Sequence, residues 1–296
     1  MENKKENKTF DDIIEESQCL GECEPYGYHF YFNNKYQMLL LEDCRGLIKY
    51  EGQDEHVVIP EGVVCLWPGA FSHNPHIKSV VIPDSVETID DYAFYFCPEL
   101  EEVRFGSNVK YIGKWAFCTM GYESLFIELP DSVESIGDKA FVNCGITALP
   151  KNLKNIGVGA FQGCCWSSDD DVSEEWLAEI PDGVTTIEDF AFADIILGDG
   201  CQGVWLPKTV KKIGKCAFGH TTKYRKSVYT LYYDGTKEQW RAIDIDNTDD
   251  WLKDIMVKVN SIDGIICLED EVLEDEEVEE LEDDEIEEHK GKKTKD

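Results

Sequence analysis

The stretch VVIPDSVETIDDYAFYFC, residues 80–97, decides the fold, because its skeleton P-x-x-V-x-x-I-x-x-x-A-F returns along the chain. Here the skeleton is Pro83, Val86, Ile89, Ala93 and Phe94. One copy precedes it, with Pro60, Val63, Leu66, Ala70 and Phe71. Another follows with Gly106 in place of proline, then Val109, Ile112, Ala116 and Phe117. The remaining copies start at Pro130, Pro150, Pro181 and Pro207 and end in Ala140/Phe141, Ala160/Phe161, Ala191/Phe192 and Ala217/Phe218. Seven copies hold four offsets fixed while the residues between them drift, which identifies a repeat of roughly 23 residues and implies a solenoid.

Apolar residues two apart precede each proline, as in Val57/Ile59, Val80/Ile82, Val103/Phe105, Ile127/Leu129 and Val204/Leu206. That is strand periodicity with both members facing one side. Proline then ends the backbone ladder and the chain turns. The V-x-x-I stretch supplies more inward residues, and the A-F pair reads as a tight turn whose small residue sits where coils crowd and whose ring fills the interior. No coil can bury its apolar face alone, so stability comes from the interfaces between neighbours.

These residues resemble the BspA-type, or treponemal-type, leucine-rich repeat, over about residues 40 to 220. The resemblance implies a repeat solenoid, a leucine-rich repeat right-handed arc with a parallel β-sheet, mainly β with short turns and helical segments. It also gives the flanks a role, since CRGLIKYEGQDEHVVIPEGV resembles the entry region of such proteins and YTLYYDGTKEQWRAIDI their exit segment. The expected organisation is a flexible polar segment over 1–25, an N-terminal cap over 26–56, the solenoid over 57–227, a C-terminal cap over 228–268 and an acidic disordered tail over 269–296. Spacing widens to 31 residues between Pro150 and Pro181, where SSDDDVSEEW is inserted, and Ala178 replaces a larger aliphatic there. That coil should be the least regular.

The chain carries 61 acidic and 28 basic residues, a net charge of −33. Such a field repels phosphate backbones and anionic lipid heads, so neither nucleic acid nor membrane insertion is expected. No stretch approaches the apolar length of a membrane span, and MENKKENKTFDDIIEE is too polar for a secretory signal. A cytoplasmic protein with reduced thiols is expected, with secretion or surface display as the alternative.

Cys97, Cys144 and Cys164 all stand three residues after the repeat phenylalanine, where other copies have Asn74, Met120 and Ile195. One repeated position means one structural environment, so these cysteines read as packing residues rather than nucleophiles. A bridge between Cys144 and Cys164 is not expected. Cys19, Cys23 and Cys44 lack a second closely spaced pair of ligands, so no metal is assigned. His56, His73 and His76 read as surface residues. No nucleotide or acyl-transfer motif is present, and no cofactor or catalytic residue is assigned. The insert reads as a solvated acidic loop. The tail, with 15 acids in the 20 residues 269–288, reads as a solubilising appendage whose Val272, Leu273, Val278, Leu281 and Ile286 offer a stripe to a partner as the alternative.

What the repeat leaves unexplained is the outward side of the sheet. Two residues before each proline this gives Val58, Val81, Arg104, Glu128, Ala148, Glu179 and Trp205, and two positions further back His56, Ser79, Glu102, Phe126, Ile146, Leu177 and Gly203. Val58, Val81, Arg104, Phe126, Glu128, Glu179 and Trp205 form the candidate protein-binding set. The expected function is a non-catalytic, monomeric protein–protein interaction module that holds its ligand on the concave sheet. The alternatives are an adhesin exported by an atypical route, a hydrolase with a carboxylate site at the insert or exit cap, and carbohydrate binding through the exposed aromatics.

Overall fold

The computed structural model describes residues 9–23, 28–42, 45–118, 125–167, 176–221, 230–248, 252, 255–259 and 265–266. The inserted residues 168–175, Met120 and the tail lie outside the described residues. The chain is a parallel-strand solenoid of seven coils with very little helix.

Each repeat skeleton makes one coil. Val63, Val86, Val109, Val133, Leu153, Val184 and Val210 and every repeat alanine are fully buried. The seven phenylalanines from Phe71 to Phe218 stack into one spine, neighbouring rings 4.8–5.6 Å apart and tilted by only 4–12°. The A-F turns are themselves laddered: Phe71 N donates to Ala93 O at 2.7 Å, Phe94 N to Ala116 O at 2.8 Å and Phe117 N to Ala140 O at 2.8 Å. Backbone polarity is thus satisfied by the next coil at the point where the ring goes inward. Tyr50 extends the spine into the cap, its N–H bonded to Ala70 O and its ring 5.3 Å from Phe71.

The strands before the prolines form the expected parallel ladder, first as His56–Val58, Ser79–Val81 and Glu102–Arg104, with Val57, Val80 and Val103 in register and buried. A second ladder runs through Cys65–Leu66, Thr88–Ile89, Tyr111–Ile112, Ser135–Ile136 and Asn155–Ile156, on the V-x-x-I stretch. Two-residue strands are too short to show an alternation in sequence, so this ladder is visible only in the structure.

The wide spacing before Pro181 has the expected effect. Cys165–Trp166 continues the ladder of Phe126–Ile127 and Gly145–Ile146 on to Ile196–Leu197, while Trp176–Glu179 opens a separate sheet with Cys201–Leu206. The widened stretches before Pro181 and Pro207 thus each hold two strand segments, Cys165–Trp166 with Trp176–Glu179 and Ile196–Leu197 with Cys201–Leu206.

The N-terminal segment differs from expectation. Residues 9–23 form part of the N-terminal cap, which starts before residue 26: α1 (Phe10–Glu15) is closed by a Thr9/Asp12 capping box, and Phe10 and Ile13 are 1% exposed. Polar composition hid two buried side chains. Strands β1 (Gln18–Cys23), β2 (Tyr28–Asn33), β3 (Met38–Leu41) and β4 (Gly46–Tyr50) are antiparallel, and β4 then pairs in parallel with Cys65–Leu66, joining cap to solenoid. Buried Asn33 fastens the cap, donating to Ile13 O and Ser17 Oγ and accepting from the amides of Lys35 and Tyr36. At the other end Thr230–Tyr233 and Met256–Val259 add two parallel strands, and Ile265–Ile266 pairs antiparallel with the last. Helix α2 (Lys237–Arg241), capped by Thr236 and Gln239, brings Trp240 against Tyr233 at 5.4 Å. Antiparallel strands thus extend the sheets beyond the repeats at both ends of the described stack.

Candidate interaction surface

Side chains alternate across a strand, so the buried Val57, Val80 and Val103 force their neighbours outward. Register then makes two rows, Val58–Val81–Arg104 and His56–Ser79–Glu102. Val58 is half-exposed, Arg104 Nε binds Glu102 Oε1 at 2.7 Å, and His56 Nδ1 meets Ser79 Oγ at 2.8 Å. His73 and His76 are exposed too.

The Val58–Val81–Arg104 row forms one wall of a cleft of about 440 Å³ whose other wall is Ile13, Tyr36 and Met38 of the cap. Its size is that of an ordinary ligand pocket. Asp54 and Asp84 also line it. Asp84 accepts from the amide and hydroxyl of Ser107 at 2.7 and 3.0 Å, which holds its carboxyl below the usual carboxylate range. Tyr50 shares its hydroxyl with the Asp54 amide, and burial is the main cause of its raised pKa. Glu61 and Arg104 line it as well, so the cleft carries charges of both signs.

Further along, Phe126 is half-exposed and its ring lies over Gly145, where a Cβ would collide with it. Glu128, Ala148 and Glu179 are exposed. Ile146, expected to face outward, is fully buried: it pairs with Ile127, whose side chain is also inward, because this short strand is shifted by one position relative to the proline count. A one-residue slip exchanges the faces.

The third portion of the face is a row in register, Glu179–Trp205–Tyr232–Lys258. Lys258 Nζ stands 5.3 Å from the Tyr232 ring centroid. Tyr232 and Lys258 escaped the sequence reading because they lie in the exit cap, outside the repeat. The alternation in TLYY, with Leu231 and Tyr233 buried, was the available signal. The structure therefore divides the candidate set among three separately hydrogen-bonded ladders, Val58, Val81 and Arg104; Phe126; and Glu179 with Trp205, while Glu128 follows Phe126–Ile127 outside any strand.

The repeated cysteines sit where packing requires. Cys97, Cys144 and Cys164 donate their thiols to the carbonyls of Phe71, Phe117 and Phe141 at 3.1, 3.2 and 2.9 Å. Burial raises the Cys97 pKa to about 11 and those of Cys144 and Cys164 well above the usual thiol range. A thiol so held is a poor nucleophile. Cys144 and Cys164 are both free. Cys19 is exposed on β1, and Cys44 and the Cys23 side chain lie outside the described residues. Among the described residues no three His, Cys, Asp or Glu side chains converge as a metal site, and no helix is long and apolar enough to cross a membrane.

The BspA-type leucine-rich repeat region matches the chain in six copies over residues 50–167 and 177–230. Similar solved structures include a leucine-rich repeat protein of T. pallidum, 24% identical, covering 66% of this chain and 85% of its own, with a TM-score of 0.45. A leucine-rich repeat protein of Bacteroides ovatus is 18% identical over 74% of this chain and 65% of its own, TM-score 0.38. A leucine-rich cell surface protein of Faecalibacterium prausnitzii is 18% identical over 77% and 98%, TM-score 0.28. No curated protein matches the chain.

Proposed function

The chain belongs to the BspA-type leucine-rich repeat family, and from that premise we propose that it is a non-catalytic scaffold holding a protein ligand on its outward strand face. The observation that carries this reading is the face itself. Val58 and Val81 beside a cleft, Phe126 over Gly145, and Trp205 next to Tyr232 are apolar anchors set among charged neighbours, the composition of an interface core with a polar rim. Among the described residues, which leave out the acidic insert, the carboxylates with a resolved shift, Glu55, Asp84, Asp131, Glu134, Glu238 and Asp246, are all held low, whereas a hydrolytic general acid needs its pKa raised. The same reading makes the scaffold a monomer in a reducing compartment where the repeat thiols stay protonated and unbridged.

The test is a binding measurement with a captured and purified protein partner. Exchanging Phe126 and Trp205 together for alanine leaves the charge unchanged and should weaken binding at least tenfold, since central aromatic anchors are worth about 2 kcal/mol or more each. A partner held equally well by the double variant would refute the strand face as the binding surface.

A further inference from the structure

Tyr95 stands at the centre of five rings drawn from three successive coils. His73 lies 5.4 Å from it at 70°, Tyr92 5.6 Å at 89°, Trp115 5.9 Å at 90° and Phe96 6.4 Å at 41°. Tyr92 and Phe96 are each 39% exposed. The cluster is on the A-F turns, not on the strand face, and the repeat does not require it.

Backbone geometry makes that last point. Each coil needs a left-handed residue just before its alanine and, where described, usually another two places after its phenylalanine. Elsewhere those offsets carry Gly69, Gly159, Asn143, Gly163, Asp194, Lys139, Cys216 and Phe190, so the fold asks for the left-handed backbone there and not for a cluster of rings. In the cluster they carry His73, Tyr92, Phe96 and Trp115 at φ of 55–60°, an unfavourable place for a bulky side chain.

The surroundings indicate what the rings suit. Asp90 and Asp91 lead directly into Tyr92, and Asp91 Oδ1 accepts from Lys114 N at 2.7 Å, next to Trp115. Asp91, Asp90 and Asp138 add to the effect of burial in raising the pKa of nearby Tyr111. The chain already places one cation on one of these rings, Lys139 Nζ at 4.9 Å from the Trp115 centroid. Rings crossing near right angles make walls around a cation rather than the flat platform on which a sugar ring stacks.

We propose that this turn edge is a second docking surface, for a lysine- or arginine-bearing segment of a partner protein, whose cationic side chains lodge against Tyr92, Tyr95 and Phe96 beside Asp90 and Asp91. Ring faces attract cations, and neighbouring carboxylates strengthen the site. The surface is independent of the strand face and stands whether or not that face binds.

An alternating Lys-Gly peptide titrated calorimetrically into the full chain, at an ionic strength of about 0.15 M where diffuse attraction is screened, tests it. The variant Tyr92→Asn/Phe96→Asn removes two rings, keeps the charge and suits the left-handed backbone. The expected result is a fall in affinity of roughly tenfold with a melting temperature within about 3 °C of the parent. The variant Tyr92→Phe/Tyr95→Phe keeps the rings and should bind within about twofold of the parent. Unchanged affinity in the first variant, an equal loss in the second, or a neutral oligosaccharide showing the ring-dependent binding instead would each overturn the proposal.

Discussion

Replacing Phe141 with alanine strikes the middle of the spine, and its cost can be built from the structure. The ring is fully buried and stacks on Phe117 at 5.5 Å and 4° and on Phe161 at 5.6 Å and 9°. Withdrawing a phenylalanine side chain from water is worth about 1.5–3 kcal/mol, and each ring pair adds about 0.5–1.5 kcal/mol. The sum agrees with the roughly 3–5 kcal/mol typical of buried Phe→Ala changes. Phe141→Leu refills most of the volume and forfeits chiefly the two ring pairs, so it should cost about 1–3 kcal/mol. Urea unfolding followed by far-UV circular dichroism and tryptophan fluorescence reads the difference. With a slope of about 2 kcal/mol/M, alanine should lower the midpoint by about 2 M and leucine by less than about 1.5 M. Because one ring serves two coil interfaces, the alanine variant should also separate the two probes, the halves of the stack unfolding apart. A midpoint shift under about 0.5 M for alanine, or equal shifts for the two variants, would refute the spine as the main tie between coils.

Three further outcomes follow from the packing. Ellman's reagent should label Cys19 in the native protein but Cys97, Cys144 and Cys164 only on unfolding, since the first is exposed and the others are buried with raised pKa values. The same burial gives an alkaline limit. The folded Cys97 pKa of about 11 lies above the ordinary 9.0, so its contribution is complete below about pH 9 and lost as pH rises through 11, about 3 kcal/mol in all. Urea midpoints at rising pH should show this fall, and Cys97→Ala should shrink it while the buried Cys118, Cys144 and Cys164 keep the remainder. Finally, Gly203 has φ +155°, and a Cβ there would collide with Thr230 O, the backbone of the next strand. Gly203→Ala should cost about 3 kcal/mol and loosen the exit cap, seen as faster hydrogen exchange over Thr230–Tyr233.

The resemblance carried by the A-F copies pointed to the right family, and the reading of individual residues was best where one offset recurred. Cys97, Cys144 and Cys164 were assigned to packing because three equivalent positions must share one environment, and each indeed donates to a phenylalanine carbonyl. Residues outside the repeat had no such support. Polar neighbours concealed Phe10 and Ile13, and an irregular count turned Ile146 to the wrong face.

Sequence alone determined the solenoid, its inward residues, its irregular sixth coil and the strand face, since a side chain's direction within a coil follows from local alternation and a fixed offset. Only the tertiary structure decided which outward residues meet. The cleft between Val58 and Ile13, the Trp205–Tyr232–Lys258 row and the rings around Tyr95 join residues from different coils or caps. Their meeting depends on the lateral register of the stack, which hydrogen bonds between coils set and which no single repeat encodes.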